Sequence, residues 1–197
     1  MEFDTFSITG VLLAAGYSRR FSGDKLLHPL ADGTPIAVAA ARKLYTSVNQ
    51  ALAVVRPEST ELAHLLRCEG LQIVNCVEAE TGMGASLACG VKASLNAQAW
   101  VIALADMPFI QIATIEQIAT LLRQRAAIVA PQYQGQRGHP IGFSQFYGTQ
   151  LSQLSGDTGA RTVLQQHHTQ ITHFPCNDAG IHYDIDTYQD FKCKAAL

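Results

Sequence analysis

Short apolar runs rich in β-branched residues alternate with segments of helical period along nearly the whole chain, and that rhythm restricts the fold more than any other feature. ITGVLLA, ALAVV, LQIVN, WVIALA, AAIVAP and HPIGF read as strands. The segments between them predict helices over residues 35–48, 57–67, 84–95, 112–125 and 158–167. Strands alternating with helices imply an α/β chain: a mostly parallel, Rossmann-like sheet with helices on both faces, three layers in all. Pro35 and Pro57 suit first-turn positions, where a missing N–H costs little. No repeat, low-complexity segment or Pro/Ser-rich linker interrupts the pattern, so the 197 residues are expected to form a single domain over 1–197.

In an open α/β sheet, ligands bind outside the carboxyl ends of the strands. The informative loops are therefore the ones that follow strands: AAGYSRR, CVEAETGMG, DMPFI and QYQGQRG. Polar, charged and glycine-rich residues converge there. A formal charge of −2, with fourteen basic residues spread along the chain, gives no field for a nucleic-acid backbone or an acidic membrane surface. No apolar stretch is long enough to span a bilayer, and MEFDTFSITG resembles neither a signal nor a transit peptide. Five cysteines, an odd number without a CxxC pair, fit reduced thiols. The expectation is a cytoplasmic protein with a small anionic ligand, no nucleic-acid partner and no membrane.

The first strand delivers Leu13 into Ala14, Ala15 and Gly16, followed by Arg20 and Lys25. Residues of so little bulk allow close approach of a ligand to the backbone, whose N–H groups can cradle phosphate oxygens, and the two cations add charge. An ordinary tight turn with solvated basic side chains is the competing reading. GxGxxG and GxxxxGK[ST] are both absent from this loop. The stretch resembles the LAxGxSxRMGxxK signature of MobA-like nucleotidyltransferases, with Leu13, Ala14, Ala15, Gly16, Ser18, Arg20, Phe21 and Lys25 at its positions; Ser22 stands where the pattern has glycine, and Gly23 follows.

Asp106 directly follows the WVIALA run, where a carboxylate beside a phosphate loop can hold Mg2+ through one or two direct bonds while water completes the shell. Aspartate is also common as a turn or cap residue. YDIDTYQDF offers Asp184 and Asp186, which alternation would place on one strand face. Capping of a last helix opening at Thr187 competes with metal binding for Asp186. Gly82, Gly84 and Ser86 open a helix entrance at 85–86 that could pack against or hydrogen-bond a nucleobase, although a plain glycine-rich helix entrance fits as well.

GMGASLACG, RGHPIGFS and GDTGAR, together with the LAAG of the opening, resemble the molybdenum cofactor cytidylyltransferase (MocA-like) branch of the MobA-like family; the guanylyl branch more often has LAGG. The resemblance implies the nucleotide-diphospho-sugar transferase type of sheet and an activity: CMP transfer from CTP to Mo-molybdopterin, giving molybdopterin cytosine dinucleotide and pyrophosphate. It assigns nucleotide binding to Leu13, Ala14, Ala15, Gly16, Arg20, Lys25, Gly82, Ser86 and Asp106. Arg20, Lys25 and Asp106 are its catalytic residues, Asp106 and Asp186 hold Mg2+ with Mn2+ as an alternative, and His139 and Arg161 face the molybdopterin acceptor. A recipient molybdoenzyme or its chaperone is the implied protein partner. Two other readings stay open: transfer to a sugar or polyol phosphate, and a non-catalytic nucleotide-binding or cofactor-delivery protein. No nucleophile motif supports covalent catalysis.

Overall fold

The computed structural model describes residues 6–17, 21 and 24–186; Arg20, Ser18, Ser22, Gly23 and Thr187 lie outside the described residues. Strands β1 (Ile8–Leu13), β2 (Gln50–Val55), β3 (Gln72–Asn75) and β4 (Ala99–Leu104) pair in parallel in the order β3-β2-β1-β4. Next to β4 lies β7 (Ile141–Ser144), antiparallel to it and to the following strand, β5 (Ile128–Tyr133). β5 also carries β6 (Gln136–Arg137), across a two-residue hairpin, and β8 (Ile171–Pro175), which runs parallel to it. The hairpin residues Gln134 and Gly135 have φ of 51° and 77°, the left-handed pair that a tight hairpin turn demands.

The helices are α1 (Ile36–Ser47), α2 (Thr60–Cys68), α3 (Met83–Lys92), α4 (Ile112–Arg123), α5 (Gly148–Ser152) and α6 (Arg161–Gln166). Alternate residues of β1 enter two separate cores because successive side chains of a strand point to opposite faces. Ile8 and Leu12 pack with residues of α1, α2 and α4, whereas Val11 packs with residues of α3, α5 and α6. α3 rides close to the sheet at Gly90, where a Cβ would lie 2.6 Å from Val11 Cγ1 and 2.9 Å from Val54 Cγ2. Among the described residues no helix is long and apolar enough to cross a membrane.

The three-layer, mostly parallel architecture expected from the alternation is present. The differences are local and have physical causes. Pro35 caps α1 rather than opening its first turn, and Pro57 precedes the start of α2 at Thr60 by three residues. α3 starts at Met83, ahead of the expected entrance at 85–86, and α6 covers only the last part of the predicted 158–167 helix. β6, β8 and α5 went unpredicted. β8 is short and mostly exposed, so ITHFP lacks the apolar run of a buried strand. The expected strand carrying Asp184 and Asp186 is absent: residues 183–186 have no regular structure, and the two carboxylates are not placed by strand alternation.

Candidate active site

β1 and β4 end in register, Leu13 opposite Leu104, and one backbone bond extends each side of β1: Ala105 N donates to Leu13 O at 3.1 Å on the β4 side, and Ala14 N donates to Val54 O of β2 at 2.9 Å on the other. The AAG loop and Asp106 therefore leave the sheet side by side. Residue 186 arrives from the far end of the chain, because Ile185 N donates to Asp106 O at 3.0 Å. Lys25 comes from a single 3-10 turn, Lys25–Leu27, capped by Asp24 Oδ1 accepting from Leu26 N at 3.1 Å and anchored by buried Leu26.

These three arrivals meet. Lys25 Nζ donates to Asp106 Oδ2 at 2.8 Å and to Asp186 Oδ1 at 3.3 Å. The lysine side chain is 9% exposed, against 25% and 35% for the two aspartate side chains, so the ammonium is the inner member of the cluster and the carboxylates reach outward. An ammonium within hydrogen-bonding distance of both carboxylates demonstrates that a cation fits between them. Two carboxylates leave most of an octahedral shell for water and phosphate, which is how Mg2+ is commonly held. Among the described residues no group of three or more His, Cys, Asp or Glu forms a closed metal cage.

The cluster opens on two adjoining cavities that share Gly16, Lys25, Met83 and Asp106. The inner one, about 120 Å3, is lined also by Leu13, Ala15, Ser86 and Leu104; the outer one, about 470 Å3, by Tyr17, Glu80, Gly82, Asp157 and Asp186. Leu13, Ala15, Gly16, Lys25, Gly82, Ser86, Asp106 and Asp186 thus line these two cavities. Ala14 turns into the core, and its N–H is taken by Val54 O. Neither His139 nor Arg161 is among the described residues lining these cavities: Arg161 is exposed at the first residue of α6.

The glycines of this site do different things. A Cβ at Gly16 would meet no atom of the described residues within 4 Å, so packing among them does not require its smallness. A Cβ at Gly82, whose φ is 130°, would lie 2.5 Å from Gly156 C and O, and one at Gly84 would lie 2.7 Å from Ser155 O. Gly82 and Gly84 therefore let the 155–157 loop dock on the start of α3, where Gly84 N donates to Gly156 O at 2.8 Å and Met83 N to Asp157 Oδ1 at 3.4 Å. The GMG and GDTG motifs, distant in sequence, form one wall of the cleft.

Three supporting residues gave no functional signal in the sequence. Buried Asp178 accepts from Gln111 N at 2.9 Å and Thr114 Oγ1 at 2.6 Å through one oxygen, and from Gly180 N at 3.0 Å through the other. It ties the turn before Asp186 to the start of α4. Lys43 Nζ donates to Pro108 O at 2.6 Å, holding the loop after Asp106; burial pushes its pKa down and the Asp178 carboxylate opposes that shift. Arg56 stacks over the Tyr17 ring at 4.5 Å. CND and RPES look like ordinary turn segments, so only spatial proximity identifies these roles.

His139 lies in the link between β6 and β7, both antiparallel to β5, with its backbone N–H donated to Ile181 O at 3.0 Å. Its Nδ1 is buried and has no hydrogen-bond partner among the described residues. Burial holds its pKa below the usual imidazole value of 6.5; Arg137 and His182 push the same way and Asp106 opposes them.

Residues 10–171 match the family model described as MobA-like NTP transferase domain. Nicotine blue oxidoreductase of Paenarthrobacter nicotinovorans is 28% identical over 197 residues, covering 95% of this chain and 96% of that protein. Purine catabolism protein PucB of Bacillus subtilis is 29% identical, covering 93% and 94%. The crystal structure of Rv0371c from Mycobacterium tuberculosis superposes with a TM-score of 0.85 at 25% identity, covering 97% of this chain and 98% of that one. A second structure of Rv0371c, in complex with manganese, has a TM-score of 0.80 at 24% identity and covers 96% and 98%.

Proposed function

The chain belongs to the MobA-like NTP transferase domain family, and from that premise we propose that it transfers CMP from CTP to Mo-molybdopterin, releasing pyrophosphate. The observation that carries the nucleotidyl-transfer chemistry is the cluster of Lys25, Asp106 and Asp186 at the mouth of a two-part cleft beyond the carboxyl ends of β1 and β4. The choice of CTP and of a pterin acceptor rests on the resemblance of LAAG, GMGASLACG and RGHPIGF to the cytidylyl branch.

The inner cavity would take the cytidine, with Ser86 and the Ala15–Gly16 backbone against the base and sugar, and the triphosphate would extend past Lys25. Gly16 leaves the space that a phosphate needs for close approach. Asp106 and Asp186 would hold Mg2+, or Mn2+, the ion with which the similar Rv0371c has been crystallised. The metal, when bound, supplies positive charge to the nucleotide phosphates and to the departing pyrophosphate. Lys25, and Arg20 by its place in the motif, would neutralise the remaining phosphate charge. An acceptor phosphate oxygen attacks the α-phosphorus, the bond to the β-phosphate oxygen breaks, and pyrophosphate leaves with that electron pair. A phosphate monoester is already a competent nucleophile, so no protein nucleophile is needed. His139 and Arg161 are assigned to the acceptor side, and a molybdoenzyme or its chaperone to product delivery.

The deciding experiment is pyrophosphate release with each of the four NTPs, with and without molybdopterin cofactor. CTP is expected to exceed GTP by at least about tenfold in kcat/KM, roughly 1.4 kcal/mol, because a site that hydrogen-bonds one base leaves polar groups unpaired with the wrong one. Equal efficiency or a preference for GTP overturns the cytidylyl assignment alone. Release with a sugar or polyol phosphate and not with the pterin overturns the acceptor, and no release with any NTP in the presence of metal overturns the transferase reading of the site.

A further inference from the structure

The Lys25 ammonium occupies the place between the two carboxylates that a divalent cation would need, 2.8 Å from Asp106 Oδ2 and 3.3 Å from Asp186 Oδ1. The geometry points to Lys25 as an electrostatic latch that keeps the carboxylate pair closed to metal until a polyphosphate draws the ammonium away. This deepens, and rests on, the nucleotidyl-transfer reading of the site, and it gives Lys25 a second task beyond neutralising phosphate.

The physical basis is competition for the same oxygens. A carboxylate oxygen engaged by an ammonium must release it before Mg2+ or Mn2+ can bind directly, because a divalent ion brought between Asp106 and Asp186 would lie against a fixed positive charge. The ammonium cannot readily withdraw into solvent. Its side chain is 9% exposed, and the turn that carries it is held by buried Leu26 and by the Asp24 cap. What remains is a local swing, and Lys25 and Gly16 line both cavities, so the ammonium has phosphate space beside it. A nucleotide triphosphate offers it oxygens of greater charge than either aspartate. Once Lys25 moves to phosphate, the Asp106 and Asp186 oxygens it engaged can turn to a metal held beside the same phosphates. The resting protein would then hold divalent metal poorly, and nucleotide would open the metal site.

The latch makes two effects of one substitution run in opposite directions, which a purely phosphate-binding lysine does not. Removing the ammonium should weaken nucleotide binding and strengthen binding of metal alone. Mn2+ is titrated with the full chain in the absence of nucleotide, following free Mn2+ by electron paramagnetic resonance. Lys25→Met is expected to bind Mn2+ more tightly than wild type, on the order of tenfold, and the doubly substituted Lys25→Met, Asp106→Asn protein is expected to lose that gain. Equal Mn2+ affinity in wild type and Lys25→Met overturns the latch, as does a gain that survives Asp106→Asn. The second measurement uses wild type alone, so it does not depend on how the variant folds: the lysine 15Nζ resonances are followed while CTP is added without metal. Binding of CTP, measured by calorimetry, with a shift of the Lys25 resonance supports the latch; binding with no shift overturns it. Tighter Mn2+ binding by Lys25→Met in a protein that binds no nucleotide would keep the competition between ammonium and metal but overturn both its release by polyphosphate and the nucleotidyl-transfer reading. Pyrophosphate release by wild type without the Mn2+ gain would overturn the latch and keep the nucleotidyl-transfer reading.

Discussion

The backbone N–H of Ile185 donates to the carbonyl oxygen of Asp106 at 3.0 Å, joining the loop after β4 to the segment that carries Asp186. The bond uses main-chain atoms alone. It survives any change of the Asp106 side chain, so the loop and the segment stay together when the carboxylate is removed.

Asp106→Ala is therefore expected to keep the fold and lose the reaction. Lys25 retains Asp186 as a partner and the Ile185 tie persists, while one of the two proposed metal anchors is gone. Turnover should fall on the order of a hundredfold or more. Steady-state pyrophosphate release and the far-ultraviolet circular dichroism of the variant check the two halves; wild-type turnover contradicts the role given to Asp106.

Asp178→Ala should act at a distance. It leaves the Gln111 N–H, the Thr114 hydroxyl and the Gly180 N–H without their shared acceptor, and unsatisfied buried donors cost about 1–3 kcal/mol each before relaxation. The variant should melt well below wild type and turn over more slowly, because the 178–186 segment is what brings Asp186 to Lys25. Asp178→Asn keeps two acceptor lone pairs on one oxygen and should recover part of both. Undiminished stability in Asp178→Ala would show that the segment is held by other contacts.

Gly16→Ala and Gly82→Ala form a pair with opposite expectations. At Gly16 a methyl meets nothing among the described residues, so the melting temperature should hold while nucleotide affinity drops as the methyl takes ligand space. At Gly82 the methyl would press on Gly156 at a φ that L-residues rarely adopt, which should cost roughly 2 kcal/mol of stability and displace the 155–157 loop. Thermal melts with and without CTP separate the two. A destabilised Gly16→Ala would mean that this loop is tighter than its geometry indicates.

His139 should make stability depend on pH. Its folded pKa lies below 6.5, chiefly through burial, so below 6.5 the unfolded chain binds a proton that the folded chain resists. The unfolded state then holds more protons, and stability rises with pH through that window. The contribution is intact above 6.5 and is lost as pH falls towards the depressed folded value. Melting temperatures of wild type and His139→Gln between pH 8 and pH 5 should diverge in slope, with the wild type losing more on acidification. Parallel curves would place the imidazole in a more solvated setting.

What the amino-acid order determines by itself here is periodic and local. The β-rich runs and the helical spacing between them sufficed for a layered α/β sheet, and the rule that ligands gather at strand carboxyl ends selected AAGYSRR, CVEAETGMG, DMPFI and QYQGQRG; described residues of the first three line the two cavities, and those of QYQGQRG do not. Asp106 stood out as a charged residue directly after an apolar run, whereas Lys25 and Ser86 were marked by the resemblance of their segments to the family motifs. Strand order is not periodic, and it decided the rest. Lys25 lies 81 positions from Asp106 and 161 from Asp186, and they meet only because β1 lies beside β4 and Asp178 turns the chain back towards the site. The distinction between Gly16, open to a ligand, and Gly82, occupied by Gly156, was likewise invisible in sequence, where both are glycines in small-residue loops. A glycine's neighbours in space come from segments whose approach is set by packing across the whole sheet, and short-range propensity carries no information about which segments those are.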